Sequence, residues 1–213
     1  MAVVKIVSED WEIESRLRDE FDASKEEVIE IVRAAVGARR DAIDDDPVNA
    51  PGLLSYIFGT RAIRTIFRSK GWKISRLDNI EATYDPVRRA KIVFQNADHA
   101  ADLQRKPKAV SDKGPTAERA VKNGQMALFP DMQKEQEEAE IAATAAVWYL
   151  FVSADGDDVR AELSCPDVIE GGQFKDFHER IFILQPGEWS RLEVVDDGAS
   201  AAEQEFEINV TRK

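Results

Sequence analysis

The stretch Thr144–Ser153, TAAVWYLFVS, is a continuous run of apolar residues, rich in the β-branched and aromatic types that favour strands. The segment Ala154–Asp158, ADGDD, follows it, and Val159–Ser164, VRAELS, then alternates apolar and polar residues. Two strand-like runs joined by a short turn that contains glycine are typical of a β-hairpin. This part of the chain is therefore predicted to form antiparallel β-structure.

More strands are predicted downstream of this hairpin. Phe174 and Phe177 come first, and strand-like runs follow at Arg180–Leu184, Trp189–Val195 and Phe206–Val210. The turns between them are marked by Gly171-Gly172, Pro186-Gly187 and Asp197-Gly198. Short strands at this regular spacing predict an antiparallel β-sheet or a small β-sandwich.

The N-terminal part is predicted to be helical. The short apolar run Ala2–Val7 suggests an edge strand, and a helix that ends near Asp22 follows. The sequence Ser24–Glu27, SKEE, is a capping box, and apolar residues then recur with helical spacing. Pro51 is expected to open a further helix that runs to about Lys70. The chain is thus predicted to be an α+β protein with a helical part (1–96), a linker with a short helix (97–140) and an acidic β part (141–213).

Charge is unevenly distributed along the chain, whose formal net charge is −12. Residues 1–56 carry 7 basic and 14 acidic side chains, and residues 131–213 carry 7 and 20. Residues 57–130 have the opposite balance, with 15 basic and 7 acidic side chains. A polyanion would therefore bind the middle of the chain, because the flanking segments repel it.

The basic residues of the middle segment are concentrated in one region. Arg61, Arg64 and Arg68 lie on one face of the predicted helix, and no acid occurs from Ile57 to Arg76. Two strand-like segments, 72–84 and 90–95, follow and predict a β-hairpin. A helix with an arginine face and a basic hairpin is the outline of a winged-helix DNA reader. The predicted phosphate contacts are Arg61, Arg64, Arg68, Lys70, Lys73 and Arg76. The alternative is that these side chains pair with the protein's own acids.

The linker carries an apolar pentapeptide, Gln125-Met126-Ala127-Leu128-Phe129, between Gly124 and Pro130. It resembles the Q-x-x-L-F peptide by which bacterial DNA-handling proteins bind the replication sliding clamp. The resemblance implies that Gln125 contacts the rim of a pocket on the partner and that Leu128 and Phe129 fill a hydrophobic cleft. The alternative is that these apolar side chains pack on the protein's own β part.

The sequence lacks the motifs of several common enzyme classes. The sequence contains no phosphate-binding glycine loop, no nucleophile elbow and no H-E-x-x-H motif, and His99 and His178 have no metal-ligand spacing. Neither a cofactor nor a metal is predicted. The single Cys165 and the absence of a long apolar run indicate a cytoplasmic protein without a membrane span.

Three functions follow from these observations. The first is a non-enzymatic, DNA-associated accessory protein of bacterial or phage origin that binds a partner such as the sliding clamp. The second is an acidic interaction or inhibitor protein that mimics a polyanion with residues 131–213. The third is a metal-dependent hydrolase that uses scattered carboxylates.

Overall fold

A computed structural model describes residues 4–111, 113–123 and 140–192. Within these residues the chain forms the four named α-helices given below, two further short helical segments at 140–144 and 188–192, and a single seven-stranded sheet of order β1-β7-β6-β5-β4-β3-β2. The helices are α1 (Asp10–Phe21), α2 (Lys25–Arg40), α3 (Ala50–Ser69) and α4 (Pro115–Asn123). The strands are β1 (Lys5–Val7), β2 (Lys73–Ser75), β3 (Ala82–Asp85), β4 (Ala90–Asn96), β5 (Ala146–Asp155), β6 (Asp158–Glu170) and β7 (Gln173–Leu184).

The predicted helices are confirmed, and local interactions explain their limits. The hydroxyl of Ser24 accepts a hydrogen bond from the backbone N–H of Glu27, whose carboxylate accepts one from Ser24 N in return. Helix α1 ends at Asp22 with a positive φ of 55°, and α3 has Pro51 in its first turn. Gly71, with a φ of 89°, ends the turn after α3.

The α+β class is confirmed, and the sheet is mostly antiparallel. The predicted hairpins β3–β4, β5–β6 and β6–β7 are antiparallel pairs. Two pairs are parallel, namely β1 with β7 and β4 with β5. The β4–β5 pair hydrogen-bonds the helical part of the chain to the β part within one sheet. All strands of the described ranges belong to this one sheet, so these residues show no second sheet of a sandwich, and the small sandwich stays a prediction.

Two predicted strands differ from the structure. The run Trp189–Val195 was expected to be a strand, but residues 188–192 are helical. The carboxylate of Glu188 accepts a hydrogen bond from Gln185 N at 2.9 Å, which closes a helical turn, and the Trp189 ring is buried against the helices. The strand expected over 72–84 is divided into β2 and β3 by a 3₁₀ turn at Leu77–Asn79. The run Phe206–Val210 lies outside the described residues.

The sheet is covered on both faces. Helices α1, α2 and α3 pack on one face, the helical face, through an apolar core of aliphatic side chains, such as Leu150 and Leu163, and of aromatic rings, such as Trp148. The opposite face, which we call the loop face, carries an aromatic cluster of Tyr149, Phe151, Phe174 and Phe177. The loop 97–111 and α4 cover this cluster. Strand β5 is apolar on both sides because it lies in the middle of this three-layer arrangement.

One close contact positions α3 on the sheet. A Cβ atom at Gly59 would lie 2.3 Å from Cε2 of Phe94 on β4, so only glycine allows this approach. The outer face of α3 is then turned to solvent above β3 and β4. None of the helices in the described ranges has the length and apolar character needed to cross a bilayer.

Candidate nucleic-acid interface

The outer face of α3 presents two of the predicted phosphate contacts to solvent. Arg61 and Arg68 are exposed, and neither forms an ion pair with a carboxylate of the described ranges. The Arg61 guanidinium lies over the Phe58 ring, 4.6 Å from its centre, and this contact leaves its N–H groups accessible. Arg76, beyond β2, has a side chain that is 67% exposed. The guanidinium groups of Arg61 and Arg68 are available to bind phosphate, whereas that of Arg76 is shared with the Glu81 carboxylate.

The other predicted contacts are partly engaged within the protein. Arg64 forms an ion pair with Glu81, and the same carboxylate receives Nε of Arg76 at 3.3 Å. Lys70 Nζ lies 2.7 Å from a carboxylate oxygen of Glu27. Lys73 is half-buried on β2. The basic residues of α3 and β2 thus divide into an exposed set and a set that stabilises the packing of α3.

Glu27 shows how strongly Lys70 is held. Burial, the largest effect, raises the pKa of the Glu27 carboxyl, but hydrogen bonds from Lys70 and from Ser24 outweigh it. The net result is a pKa below the ordinary value, which means that the ion pair is formed at neutral pH. Lys70 therefore contributes more to the junction of α2 and α3 than to a binding surface.

A cavity of about 280 Å³ opens beside α3. Glu81, which forms the ion pair with Arg64 of α3, is part of the cavity wall. The wall combines apolar side chains, including Ile80, Val93 and Phe94, with polar ones. The polar side chains are Tyr56, Asn79, Glu81, Gln95, Lys113, Thr116 and Tyr149. We call this cavity the Lys113 pocket.

Lys113 is the unusual group of the pocket. Its Nζ donates a hydrogen bond to Oε1 of Gln95 and lies 5.9 Å from the centre of the Tyr149 ring. Burial lowers the pKa of Lys113 to about 8. Burial also raises the pKa of Tyr56 and of Tyr149, so both phenols stay neutral at pH 7. Nothing in the sequence marks Lys113 as a site residue, because a lysine in a polar loop has no signature of burial.

A second buried polar site was also not predicted. Arg180 donates to both carboxylate oxygens of Glu162, at 2.9 and 2.6 Å, and both side chains are almost fully buried. Ala101 N and the Ser164 hydroxyl donate to the same carboxylate, at 2.6 and 2.8 Å. Arg180 Nη2 donates to the carbonyl of Arg105. These hydrogen bonds attach the loop 97–111 to the sheet.

The remaining candidate groups offer no catalytic arrangement in the described residues. No cluster of three or more His, Cys, Asp or Glu side chains there could hold a metal ion. The Cys165 thiol is mostly buried, and burial, reinforced by Glu179 and Asp167, raises its pKa to about 12, so it is not a nucleophile at pH 7. His178 Nε2 lies 3.1 Å from Asp167, and both are at the surface. The predicted partner contacts Gln125, Leu128 and Phe129 lie outside the described residues.

Comparison with known proteins adds no relative. No family model matches the chain, and neither the curated proteins nor the solved structures contain a match.

Proposed function

We propose that the chain is a cytoplasmic, non-enzymatic accessory protein that binds nucleic acid through the outer face of α3. The observation that carries this proposal is the exposure of Arg61 and Arg68. They lie on the face of α3 opposite the buried residues that pack it on the sheet. A helical arginine face that is not neutralised by nearby acids attracts phosphate. The ion pairs that hold α3 in the described residues are formed by Arg64 and Lys70, so Arg61 and Arg68 are not needed for them.

The contact surface is smaller than the sequence predicts. Arg61, Arg68 and Arg76 form its exposed part, and Lys73 lies at its border. Arg64 and Lys70 contribute positive potential, but their donors are already bound to Glu81 and Glu27. In the winged-helix arrangement that we propose, α3 faces the duplex and the β3–β4 hairpin contacts the adjacent backbone. The negative segments of the chain would limit the affinity, so binding is expected to be weak and strongly dependent on salt.

Duplex binding tests the proposal. The variant Arg61→Ala plus Arg68→Ala is compared with Arg18→Ala plus Arg191→Ala, which removes the same charge from other exposed positions. Fluorescence anisotropy with a short labelled duplex is measured over a range of salt concentrations. We expect the first variant to lose roughly tenfold in affinity and to reduce the salt slope by about 2, since each phosphate contact contributes about 0.9. Equal affinities for the two variants would refute the role of α3.

We further propose that Gln125, Leu128 and Phe129 recruit the protein to a bacterial sliding clamp. The support is the Q-x-x-L-F pattern and its place between glycine and proline. Two buried anchor side chains are enough for a Kd of about 1 μM.

Calorimetry with the purified clamp tests this part separately. Leu128→Ala plus Phe129→Ala should abolish the heat of binding, whereas Met126→Ala, at a tolerant position of the motif, should leave it. An unchanged affinity in the double variant would show that the pentapeptide is not the binding segment.

A further inference from the structure

The Lys113 pocket has features that the proposed duplex contact does not use. Lys113 is mostly buried, and no carboxylate in the described ranges forms an ion pair with it. Its hydrogen-bond acceptor is the neutral amide oxygen of Gln95, which is itself buried. A buried ammonium group without a counter-charge is unfavourable, because a neutral amide replaces only part of its hydration.

The surroundings of Lys113 favour a negative group and not a second cation. Helix α4 begins at Pro115, two residues after Lys113, and its first-turn residues Thr116 and Ala117 line the pocket. The positive end of the helix dipole therefore adds to the potential of the ammonium group. The backbone of Lys113 is held in place by a hydrogen bond from its N–H to the Gly172 carbonyl at 2.8 Å, at the turn between β6 and β7.

The rest of the wall defines the other end of a ligand. Ile80, Val93 and the ring of Tyr149 give an apolar surface, and Tyr56 offers a neutral phenol. Glu81 is the acidic group of the wall, and its charge is compensated by Arg64 and Arg76. A volume of about 280 Å³ is at the lower end of the range for small-molecule sites.

We propose that the Lys113 pocket binds a small organic oxyanion, with its carboxylate or phosphate group on the Lys113 ammonium and its apolar body against Ile80, Val93 and Tyr149. The bound anion supplies the counter-charge that the described protein groups do not. Lys113 and the first turn of α4 would bind the charged group, and Gln95 would orient the ammonium. Lys113 and the first turn of α4 are separate from Arg61 and Arg68, which lie on the outer face of α3.

Binding of two simple probes to the full-length protein tests the site. Benzoate and phenyl phosphate present the two oxyanions on the same ring, and benzyl alcohol is the uncharged control. Affinities are measured by ligand-observed NMR at pH 7. We expect at least one oxyanion to bind with a Kd below ~10 mM and benzyl alcohol to bind at least tenfold more weakly. The ratio between benzoate and phenyl phosphate identifies the preferred anionic group.

Two lysine variants locate the binding. Lys113→Met keeps the length of the side chain and removes its charge, and Lys108→Met does the same at an exposed position of the neighbouring loop. We expect Lys113→Met to lose at least tenfold in affinity and Lys108→Met to retain it. The melting temperature of Lys113→Met without ligand should equal or exceed that of the wild type, because a buried charge is removed. This result separates loss of the site from loss of the fold.

The pH dependence gives a second readout in the wild type. Glu81, Tyr56 and Tyr149 are the titratable groups that face the pocket with Lys113, and Lys113 is the one expected to change charge between pH 7 and 9.5. The affinity for the oxyanion should fall by about tenfold or more over this range, as Lys113 loses its proton. The proposal is overturned if neither oxyanion binds, if Lys113→Met binds like the wild type, or if benzyl alcohol binds as well as the anions. None of these results depends on duplex binding by Arg61 and Arg68.

Discussion

The two faces of the sheet are covered by different kinds of structure and buried by different kinds of contact. On the helical face, α1, α2 and α3 cover an apolar core of aliphatic and aromatic side chains. On the loop face, an aromatic cluster lies beside buried charges, among them Glu162, Arg180 and Lys91. The Lys91 ammonium donates to the carbonyl of Ala142 at 2.9 Å.

This difference shows how an irregular cover can be held on a sheet. Regular helices satisfy their own backbone groups, so the helical face needs few polar side chains. The loop 97–111 satisfies only some of its own groups, for example where Asp98 N donates to the Lys108 carbonyl. Side chains of the sheet bind others: Glu162 accepts from Ala101 N and Arg180 donates to the Arg105 carbonyl. The buried charges of the loop face thus hold its cover in place. The Lys113 pocket lies next to them, between β4, β5 and the start of α4.

The largest effect is expected from breaking the ion pair of the loop face. Arg180→Met leaves the Glu162 carboxylate buried without its cation and should lower the free energy of unfolding by about 3–5 kcal/mol. Urea denaturation measures it. The double variant Glu162→Gln plus Arg180→Met keeps an acceptor for Ala101 N and removes the charge, so it should recover at least half of the loss. A loss below about 1 kcal/mol in Arg180→Met would mean that the pair does not hold the loop.

A smaller effect is expected on the helical face, where a close steric fit between Gly59 and Phe94 positions α3. Gly59→Ala places a Cβ against the ring of Phe94 and should destabilise the protein by about 1–3 kcal/mol, because α3 must move away from β4. Gly37→Ala in α2 is the matched control, since no atom lies within 4 Å of its added Cβ. It should stabilise the protein by about 0.5–1 kcal/mol through helix propensity. If both variants shift the urea midpoint in the same direction, the close approach at Gly59 is not what positions α3.

The smallest effect concerns an ion pair of the helical face between the buried carboxylate of Glu179 and two basic side chains, of which Lys5 is exposed to solvent. The Glu179 carboxylate accepts hydrogen bonds from Arg16 at 2.8 Å and from Lys5 at 2.9 Å. Burial, the largest effect, raises the pKa of Glu179, but these hydrogen bonds outweigh it and hold the pKa below its ordinary value. The stability that the carboxylate contributes is therefore present above the pKa of the unfolded chain and is lost as the pH falls through the folded pKa.

Glu179→Gln should accordingly lower the free energy of unfolding by about 1 kcal/mol at pH 7. The difference from the wild type should shrink at acidic pH, as the Glu179 carboxylate of the wild type takes up a proton. Denaturation at pH 7 and at acidic pH measures both values, and Glu30→Gln, at an exposed carboxylate, serves as the control. A gap that stays constant with pH would assign the loss to packing and not to charge.

The helical face could largely be predicted from the sequence. Its helices have local signals, such as the capping box at Ser24 and the helical spacing of apolar residues in α2. The hairpins were also predictable, because Asp157 and Gly171 lie in short turns whose chemistry is local. The positions of Arg61 and Arg68 on the outside of α3 follow from the same periodicity.

The loop face could not be predicted, because its signals are not local. The alternation in β6 places Glu162 and Ser164 on the side that a two-layer fold would expose to water. They are buried because the loop 97–111 covers them, and its Ala101 is 61 positions before Glu162. Nothing in the polar sequence of that loop indicates this contact. The parallel pairing of β4 with β5 has the same origin, since it joins strands from the two parts that the sequence appeared to separate by a linker. Lys113 is buried only because the loop 97–111 packs on the sheet and because β4 pairs with β5.

The parallel pairing of β1 with β7 has a consequence for the order of events during synthesis. Lys5 and Glu179 are 174 positions apart, yet their side chains form one ion pair and their strands one ladder. At ~5–20 residues per second, the ribosome makes the partner of β1 roughly 10–35 s after β1 itself. For that time β1 has an unpaired edge, which other chains could bind. Its three residues, one of them a lysine, are a short target, and the sheet is closed on this side only when β7 has emerged.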